Sequence, residues 1–173
     1  MNNSHPIFNY SKRYPTAKHY CLICGLQYER YFDKEIQHHY GAASPLFKQS
    51  SDAEIAWAGP WLIDVTHRHD LLADLMQLES KSPALSWLVS DLSLNKLASH
   101  FSDLLNVSLP DNKTALFRFY DPRVTHNMPQ VLTLEQFNEI TMPLIAWYYR
   151  FEGQFYALQG CLLYTSPSPR DAT

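Results

Sequence analysis

Glycine is scarce in this chain and long apolar runs are missing, and each shortage excludes a class of protein. Only five of the 173 residues are glycine, too few to build a glycine-rich phosphate-binding loop easily. No segment approaches the roughly 20 apolar residues that span a bilayer. Residues 1–10 are polar and aromatic and lack the apolar region of a secretory signal. We therefore expect a cytoplasmic protein with no membrane partner.

Positive charge is also in short supply. The chain has 14 Lys and Arg residues against 17 Asp and Glu residues, for a net charge of −3 at pH 7, so it has no basic footprint for nucleic acid. It shows no Ser-His-Asp order and no nucleophile elbow. We expect no catalytic residues, no cofactor and no nucleic-acid partner. Aromatic residues make up 14% of the chain, enough to fill a core and supply a contact surface.

Cysteine is rare, with three residues in all. Cys21 and Cys24 have the CxxC spacing of redox and zinc sites. They lie in the string HYCLIC, which is typical of a buried strand, where residues three apart point to opposite faces. Two such thiols cannot easily share a metal ion or form a disulfide. We predict that both are core residues.

The third cysteine opens an unusual C-terminal stretch. Residues 161–171 read CLLYTSPSPRD, which resembles the translated read-through of a sequencing-library adapter. The alternative is an ordinary Ser/Pro-rich tail. We divide the chain into a lead-in (residues 1–17), one domain (18–160) and this tail (161–173). On this view the gene product continues past Gly160, and the tail is expected to be poorly ordered.

Hydrophobic patterning predicts an alternation of strands and helices. Strands are predicted at residues 18–26, 53–58, 61–65, 84–89, 114–120, 145–151 and 154–158. Helices are predicted at residues 28–40, 71–78 and 94–105. Two more helices follow start signals, one at Asp121 with Pro122 and one at the capping-box pair Thr133 and Gln136. The pattern indicates an α/β or α+β fold, with a mixed sheet and helices packed on it in a single domain.

The string RFYDPR at residues 118–123 is the most specific segment. Two arginines, Arg118 and Arg123, flank Asp121, which can accept bidentate bonds from either guanidinium while capping the next helix. One interpretation is an ion-paired structural corner. The other is a rigid corner that presents an arginine to a partner.

This run, with the string GPWL at residues 59–62, resembles the DUF4123 family. The order of the other apolar strands and helices agrees, over roughly residues 18–150. The resemblance implies a bacterial, cytoplasmic adaptor chaperone that is not an enzyme. Such a protein binds the N-terminal region of a type VI secretion effector and assists its loading onto the VgrG spike protein. It also implies motif or partner-binding roles for Trp61, Arg118, Tyr120, Asp121, Pro122 and Arg123.

Two alternatives come from other classes. A small metal-dependent hydrolase would use His67, His69 and Asp70 as ligands. His67 and His69, however, lie near a predicted helix start, and residues two positions apart on a helix do not face the same way. We interpret these histidines as surface or capping residues and His100 as a core-edge residue. The second alternative is a purely structural subunit of a larger assembly.

Overall fold

The computed structural model describes residues 5–38, 42–48 and 50–158. The first half of the chain forms α1 (Pro6–Arg13), β1 (Lys18–Cys24), α2 (Gly25–Phe32), β2 (Ala43–Pro45), a 3₁₀ helix (Ser50–Ala58) and β3 (Pro60–Asp64). The second half forms α3 (His69–Lys81), β4 (Leu85–Ser90), α4 (Leu94–Leu104), β5 (Asn106–Ser108), β6 (Thr114–Leu116), α5 (Pro122–Val131), α6 (Leu134–Thr141), β7 (Ala146–Phe151) and β8 (Gln154–Leu158).

Six strands form one sheet in the order β2-β3-β1-β4-β7-β8, and β5 and β6 form a separate two-stranded sheet. The α+β class is confirmed, but the predicted mixed sheet is wrong, because every pairing among the described residues is antiparallel. The helical crossover through α3 joins β3 to β4, which run parallel. These strands are not neighbours, however, because β1 lies between them and pairs with both.

Helices cover both faces of the large sheet, so each strand buries alternate residues on opposite sides. We call one side the α4–α6 face; its core includes Tyr20, Leu22, Leu62, Leu88, Trp147 and Tyr149 from the strands and Leu97, Phe101, Met128 and Phe137 from the helices. The other side is the α1–α3 face; its core includes Cys21, Ile23, Trp61, Ile63, Trp87 and Tyr148 from the strands and Ile7, Leu72, Leu75 and Leu78 from the helices.

This alternation places the two cysteines of the CxxC string on opposite faces of the sheet. Cys21 belongs to the α1–α3 face and Cys24 to the α4–α6 face, and both are buried free thiols. The prediction that they are core residues on opposite faces is confirmed. Burial raises the pKa of the Cys21 thiol well above its ordinary value, which keeps the thiol protonated and unreactive.

The starts of α4, α5 and α6 agree with the helix-start signals of the sequence, because these signals are local. The Ser93 hydroxyl accepts from the Lys96 amide at the start of α4. Thr133 and Gln136 form the expected capping box at the start of α6. The strands predicted at 145–151 and 154–158 form an antiparallel hairpin, and its turn places Glu152 and Gly153 at φ of 50° and 78°.

Four predicted elements differ from the structure. The lead-in is helical over α1, the predicted strand at residues 53–58 is part of the 3₁₀ helix, and the strand at 114–120 ends at Leu116. The helix predicted at 28–40 begins at Gly25 and ends at Phe32, because Asp33 adopts a left-handed φ of 56°. Gly25 permits that early start: a Cβ there would lie 1.9 Å from the Trp57 carbonyl oxygen.

The last two residues of the helix predicted at 28–40 and the tail at 161–173 lie outside the described residues. Within them, no helix has the length and apolar character needed to cross a bilayer.

Candidate functional site

The approach to the RFYDPR corner (residues 118–123) is anchored in the core. Phe119 is fully buried, with its ring centroid 5.3 Å from that of Phe101 and 6.3 Å from that of Trp147. Tyr120, the next residue, is also buried. β6 ends before the corner, at Leu116, which pairs with Asn106, the first residue of β5.

Asp121 holds the corner together. Its Oδ1 accepts from the backbone amide of Arg123 at 2.9 Å, and this bond caps α5, with Pro122 at the first helical position. The same carboxylate accepts two bonds from the Arg123 guanidinium, at 3.1 Å from Nε to Oδ1 and 2.8 Å from Nη2 to Oδ2. The predicted ion pair and helix cap are therefore confirmed, and Arg123 is the arginine that provides the pair.

Arg123 is fixed at one edge and open at the other. Its side chain is 64% exposed, whereas that of Asp121 is 12% exposed. The hydrogen bonds that Arg123 donates to Asp121 raise the pKa of Arg123, so its charge is permanent. Because Nε and Nη2 bond to Asp121, the remaining guanidinium N–H groups point away from Asp121. These two bonds fix the orientation of the guanidinium plane.

Arg118 has a different setting. Its guanidinium lies 5.8 Å from the centroid of the Tyr120 ring, a cation–π contact, and among the described residues it makes no ion pair with Asp121. Burial raises the pKa of the Tyr120 hydroxyl, and the Arg118 charge acts in the opposite direction. Arg118 is thus a second exposed cation at the corner, held by an aromatic face rather than by a carboxylate.

Trp61 does not join the corner. It is buried on the α1–α3 face, and its indole Nε1 donates to the Trp57 carbonyl at 3.1 Å. The structure therefore brings together Arg118, Tyr120, Asp121, Pro122 and Arg123, while Trp61 packs on the opposite side of the sheet.

The metal-site alternative has no geometric support. His67 and His69 are exposed, and both carboxylate oxygens of Asp70 accept from the Arg68 guanidinium at 3.0 Å. Across the described ranges, no three His, Cys, Asp or Glu side chains are grouped closely enough to hold a metal ion. His100 bonds to the Ile140 carbonyl at 3.3 Å, as expected of a core-edge residue.

Sequence reasoning missed two cavities that flank Arg123. One, of about 380 Å³, is lined mainly by apolar side chains of α5 and its surroundings, including Phe117, Met128 and Val131. The other, of about 340 Å³, includes Lys81 and Arg150 in its lining. The only sequence signal of these cavities was the apolar pair Val131 and Leu132. The pair lies at the end of α5, where an exposed apolar side chain is unexpected.

Sequence reasoning also missed a buried polar cluster on the α1–α3 face. Glu79 is buried, and its carboxylate accepts from the Trp87 indole Nε1 at 2.6 Å and bonds to His5 Nε2 at 2.7 Å. The other His5 nitrogen, Nδ1, accepts the Ile7 amide and caps α1. The Nε2 proton therefore donates to Glu79. This cluster joins the start of α1 to α3 and β4, and His5 and Glu79 are 74 residues apart in sequence.

The chain matches one known family model, and the match includes the RFYDPR corner. The model of a family described as a domain of unknown function (DUF4123) matches residues 19–139. Searches of curated proteins and of solved structures gave no match. The matched span runs from β1 into α6 and contains the RFYDPR corner, whereas α1 and the β7–β8 hairpin lie outside it. Because the match covers well over half of the chain, the protein belongs to the DUF4123 family.

Proposed function

We propose that this protein is a cytoplasmic adaptor chaperone that binds the N-terminal region of a type VI secretion effector and assists its loading onto the VgrG spike protein. The proposal is for binding without turnover, cofactor, nucleic acid or membrane. Family membership supports it, because the role is the one implied by resemblance to DUF4123 proteins. The structure adds a candidate contact point on the described surface.

The observation that supports the contact point is the state of Arg123. Its guanidinium is held by two bonds to Asp121 and by the capped start of α5, yet its side chain is 64% exposed. Fixing a long side chain before binding reduces the entropy that binding would otherwise cost. Arginine is enriched among the residues that contribute most to protein interfaces, and its planar fork bonds to carboxylates and backbone carbonyls.

A pull-down with the effector encoded beside the gene tests this proposal, using the full-length gene product. Arg123→Ala and Arg123→Lys should each weaken capture at least about tenfold, since a residue of this kind contributes about 1.4 kcal/mol or more. Lysine keeps the charge but lacks the fork. The matched control is Arg68→Ala, because Arg68 is also an exposed arginine with two bonds to a neighbouring aspartate.

Circular dichroism of each variant must show an intact fold. If both Arg123 variants bind the effector as the unaltered protein does, the corner is structural and the partner surface lies elsewhere. If the unaltered protein captures no effector, the adaptor role itself is wrong. Loading is tested separately: the effector should co-purify with VgrG only when the adaptor is present. Association that is equal without the adaptor would contradict the loading step.

A further inference from the structure

Arg123 lines both cavities described above, so a segment bound beside it would contact both. The two cavities differ in chemistry, and this difference restricts what the segment can be. That the partner is a protein rests on the proposed function, whereas the chemistry of the bound segment follows from the cavities alone.

The first cavity presents apolar surface to solvent. Phe117, Met128, Val131 and Leu132 contribute to its lining, and Val131 is 75% exposed. Leu116 and Leu134 adjoin this set in sequence and are 40% and 54% exposed. Exposed and half-buried apolar side chains around a concave surface, here Val131, Phe117 and Leu132, are typical of a protein-binding site. An apolar side chain of a partner would be stabilised there by its burial.

The second cavity is basic. Lys81, Arg123 and Arg150 contribute to its lining from the end of α3, the start of α5 and the end of β7. Within the described part of the chain, Lys81 and Arg150 take part in no ion pair.

Two carboxylates also belong to this lining, Glu79 and Glu152. The Glu79 carboxylate is engaged by His5 and Trp87, and Asp121 offsets the charge of Arg123. Lys81 and Arg150 therefore face Glu152 as the one uncommitted carboxylate of the lining. The Glu79 side chain is only 3% exposed, so among the groups that the cavity presents to solvent Lys81 and Arg150 outnumber Glu152, which favours an anionic group.

We propose that these cavities are two subsites of one partner-binding surface, with Arg123 between them, and that the bound segment carries an apolar side chain close to a carboxylate. The apolar side chain enters the cavity beside Val131, and the carboxylate enters the cavity beside Arg150. A free anion would need only the second cavity, and a purely apolar segment only the first. Arg123 reaches the carboxylate with the guanidinium edge that Asp121 leaves open.

A peptide titration tests the surface directly, without the effector. The probes are the peptides acetyl-Leu-Glu-amide and its variants with one to three glycines between the two residues. They are added to the isotope-labelled protein while amide chemical shifts are recorded. Peptides with Gln for Glu, peptides with Ser for Leu, and inorganic phosphate are the matched comparisons.

We expect shift changes around Val131, Arg123 and Arg150 with a Kd in the millimolar range. Binding of the Gln and Ser peptides should be about tenfold weaker, since each loses one of the two contacts. Absence of shifts with every Leu-Glu peptide would overturn the proposal. If the Gln peptides bind as tightly as the Leu-Glu peptides, the proposed basic subsite is wrong. If the Ser peptides bind as tightly, the proposed apolar subsite is wrong. Equally tight binding of phosphate would make the basic cavity a small-anion site and overturn the paired arrangement.

Effector capture supplies the second test, with Val131→Asp for the apolar subsite and Arg150→Glu for the basic one. Each should weaken capture at least about tenfold. Ile55→Asp, at a residue that is 54% exposed, and Lys12→Glu, at an exposed residue of α1, are the matched controls and should bind normally. Normal capture by both subsite variants would overturn the two-subsite surface while leaving the adaptor function standing. Failure of the unaltered protein to capture effector would overturn the function, and the peptide titration would then decide the subsites.

Discussion

The two faces of the sheet are stabilised in different ways. On the α4–α6 face the deeply buried polar groups are neutral: the Trp147 indole donates to the Ser86 hydroxyl, and the Tyr20 hydroxyl donates to the Leu92 carbonyl. On the α1–α3 face a buried carboxylate, Glu79, bonds to His5 and Trp87. The helices α4, α5 and α6 of the first face begin with local caps, whereas the start of α1 on the second face is held by a bond to Glu79, which is 74 residues away. The carboxylate face should therefore be the more sensitive to loss of one polar group.

The largest expected effect is at Glu79. Glu79→Ala leaves the Trp87 and His5 N–H groups without an acceptor in the core. It should lower the free energy of unfolding by about 3–6 kcal/mol, since each bond to a charged group contributes about 1.5–3 kcal/mol. Urea denaturation measures this. Glu79→Gln, which keeps one acceptor oxygen, is the control and should cost clearly less. Equal costs for the two variants would mean that the negative charge of the carboxylate, not the remaining acceptor oxygen or the side-chain volume, determines the effect.

A matched pair of tryptophans sharpens the comparison. Trp87 and Trp147 are both almost fully buried, and each donates one indole bond, to a carboxylate and to a hydroxyl respectively. Changing either to Phe removes the same atoms, so the packing losses are similar. Trp87→Phe should cost about 1 kcal/mol more than Trp147→Phe, because only the former strands a charged acceptor. Denaturation of the two variants side by side gives the difference, and the reverse order would contradict the contrast between the faces.

Asp121 is the carboxylate of the α4–α6 side, and its partner differs from that of Glu79. Arg123 is mostly exposed, so water can solvate it after the pair is lost. Asp121→Ala should therefore cost about 1–2 kcal/mol, which is the contribution of a helix cap with little added by the ion pair. Thermal or urea unfolding measures this. A loss as large as that of Glu79→Ala would show that the corner is more buried in solution than its Arg123 exposure indicates.

The smallest effect concerns pH, with one histidine on each face. Burial lowers the pKa of His19, where Nδ1 has no hydrogen-bond partner among the described residues, and also lowers the pKa of His126. In the unfolded chain both titrate near the ordinary value of about 6.5. Between the lowered folded pKa and that value, the unfolded chain binds more protons, so stability is full above about pH 6.5 and is lost as the pH falls below it.

His19→Gln and His126→Phe separate the two contributions to this acid sensitivity. Each should reduce the fall in the urea midpoint between pH 7.5 and pH 5. His19→Gln should reduce it more, because the exposed fraction of His19 is only 4% whereas His126 is half-buried. An unchanged fall in both variants would assign the acid sensitivity to other groups.

The same contrast explains how much of the molecule could be predicted from its sequence. On the α4–α6 face, Ser93, Asp121 and Thr133 start their helices through bonds to residues two or three positions away, and such signals are visible in a single sequence. The helix α1 has its cap His5 fixed by Glu79, which is 74 residues distant. No local pattern reports that bond, and the segment was predicted to be a loose lead-in.

The candidate site follows the same rule. The Asp121–Arg123 pair and the Pro122 helix start are local and were predicted. The choice of Arg123 over Arg118 was not determined by spacing, because it depends on Arg118 lying over the Tyr120 ring. The two cavities depend on how α3, α5 and the β7–β8 hairpin approach one another. Their lining residues come from segments up to tens of residues apart, and no periodicity in the sequence places them together.

The central position of β1 affects how the chain can be synthesised. Translation produces β1 before β3 and β4, the two strands that flank it in the sheet. Six of its seven residues are buried in the folded protein. The nascent chain therefore exposes an apolar strand with both edges open until β3 ends at Asp64, and with one edge open until Ser90 has been added. Such a strand is a template for association with other chains. Truncations that end between β3 and β4 should aggregate when expressed, and ribosomes that stall there would release a product that itself requires a chaperone.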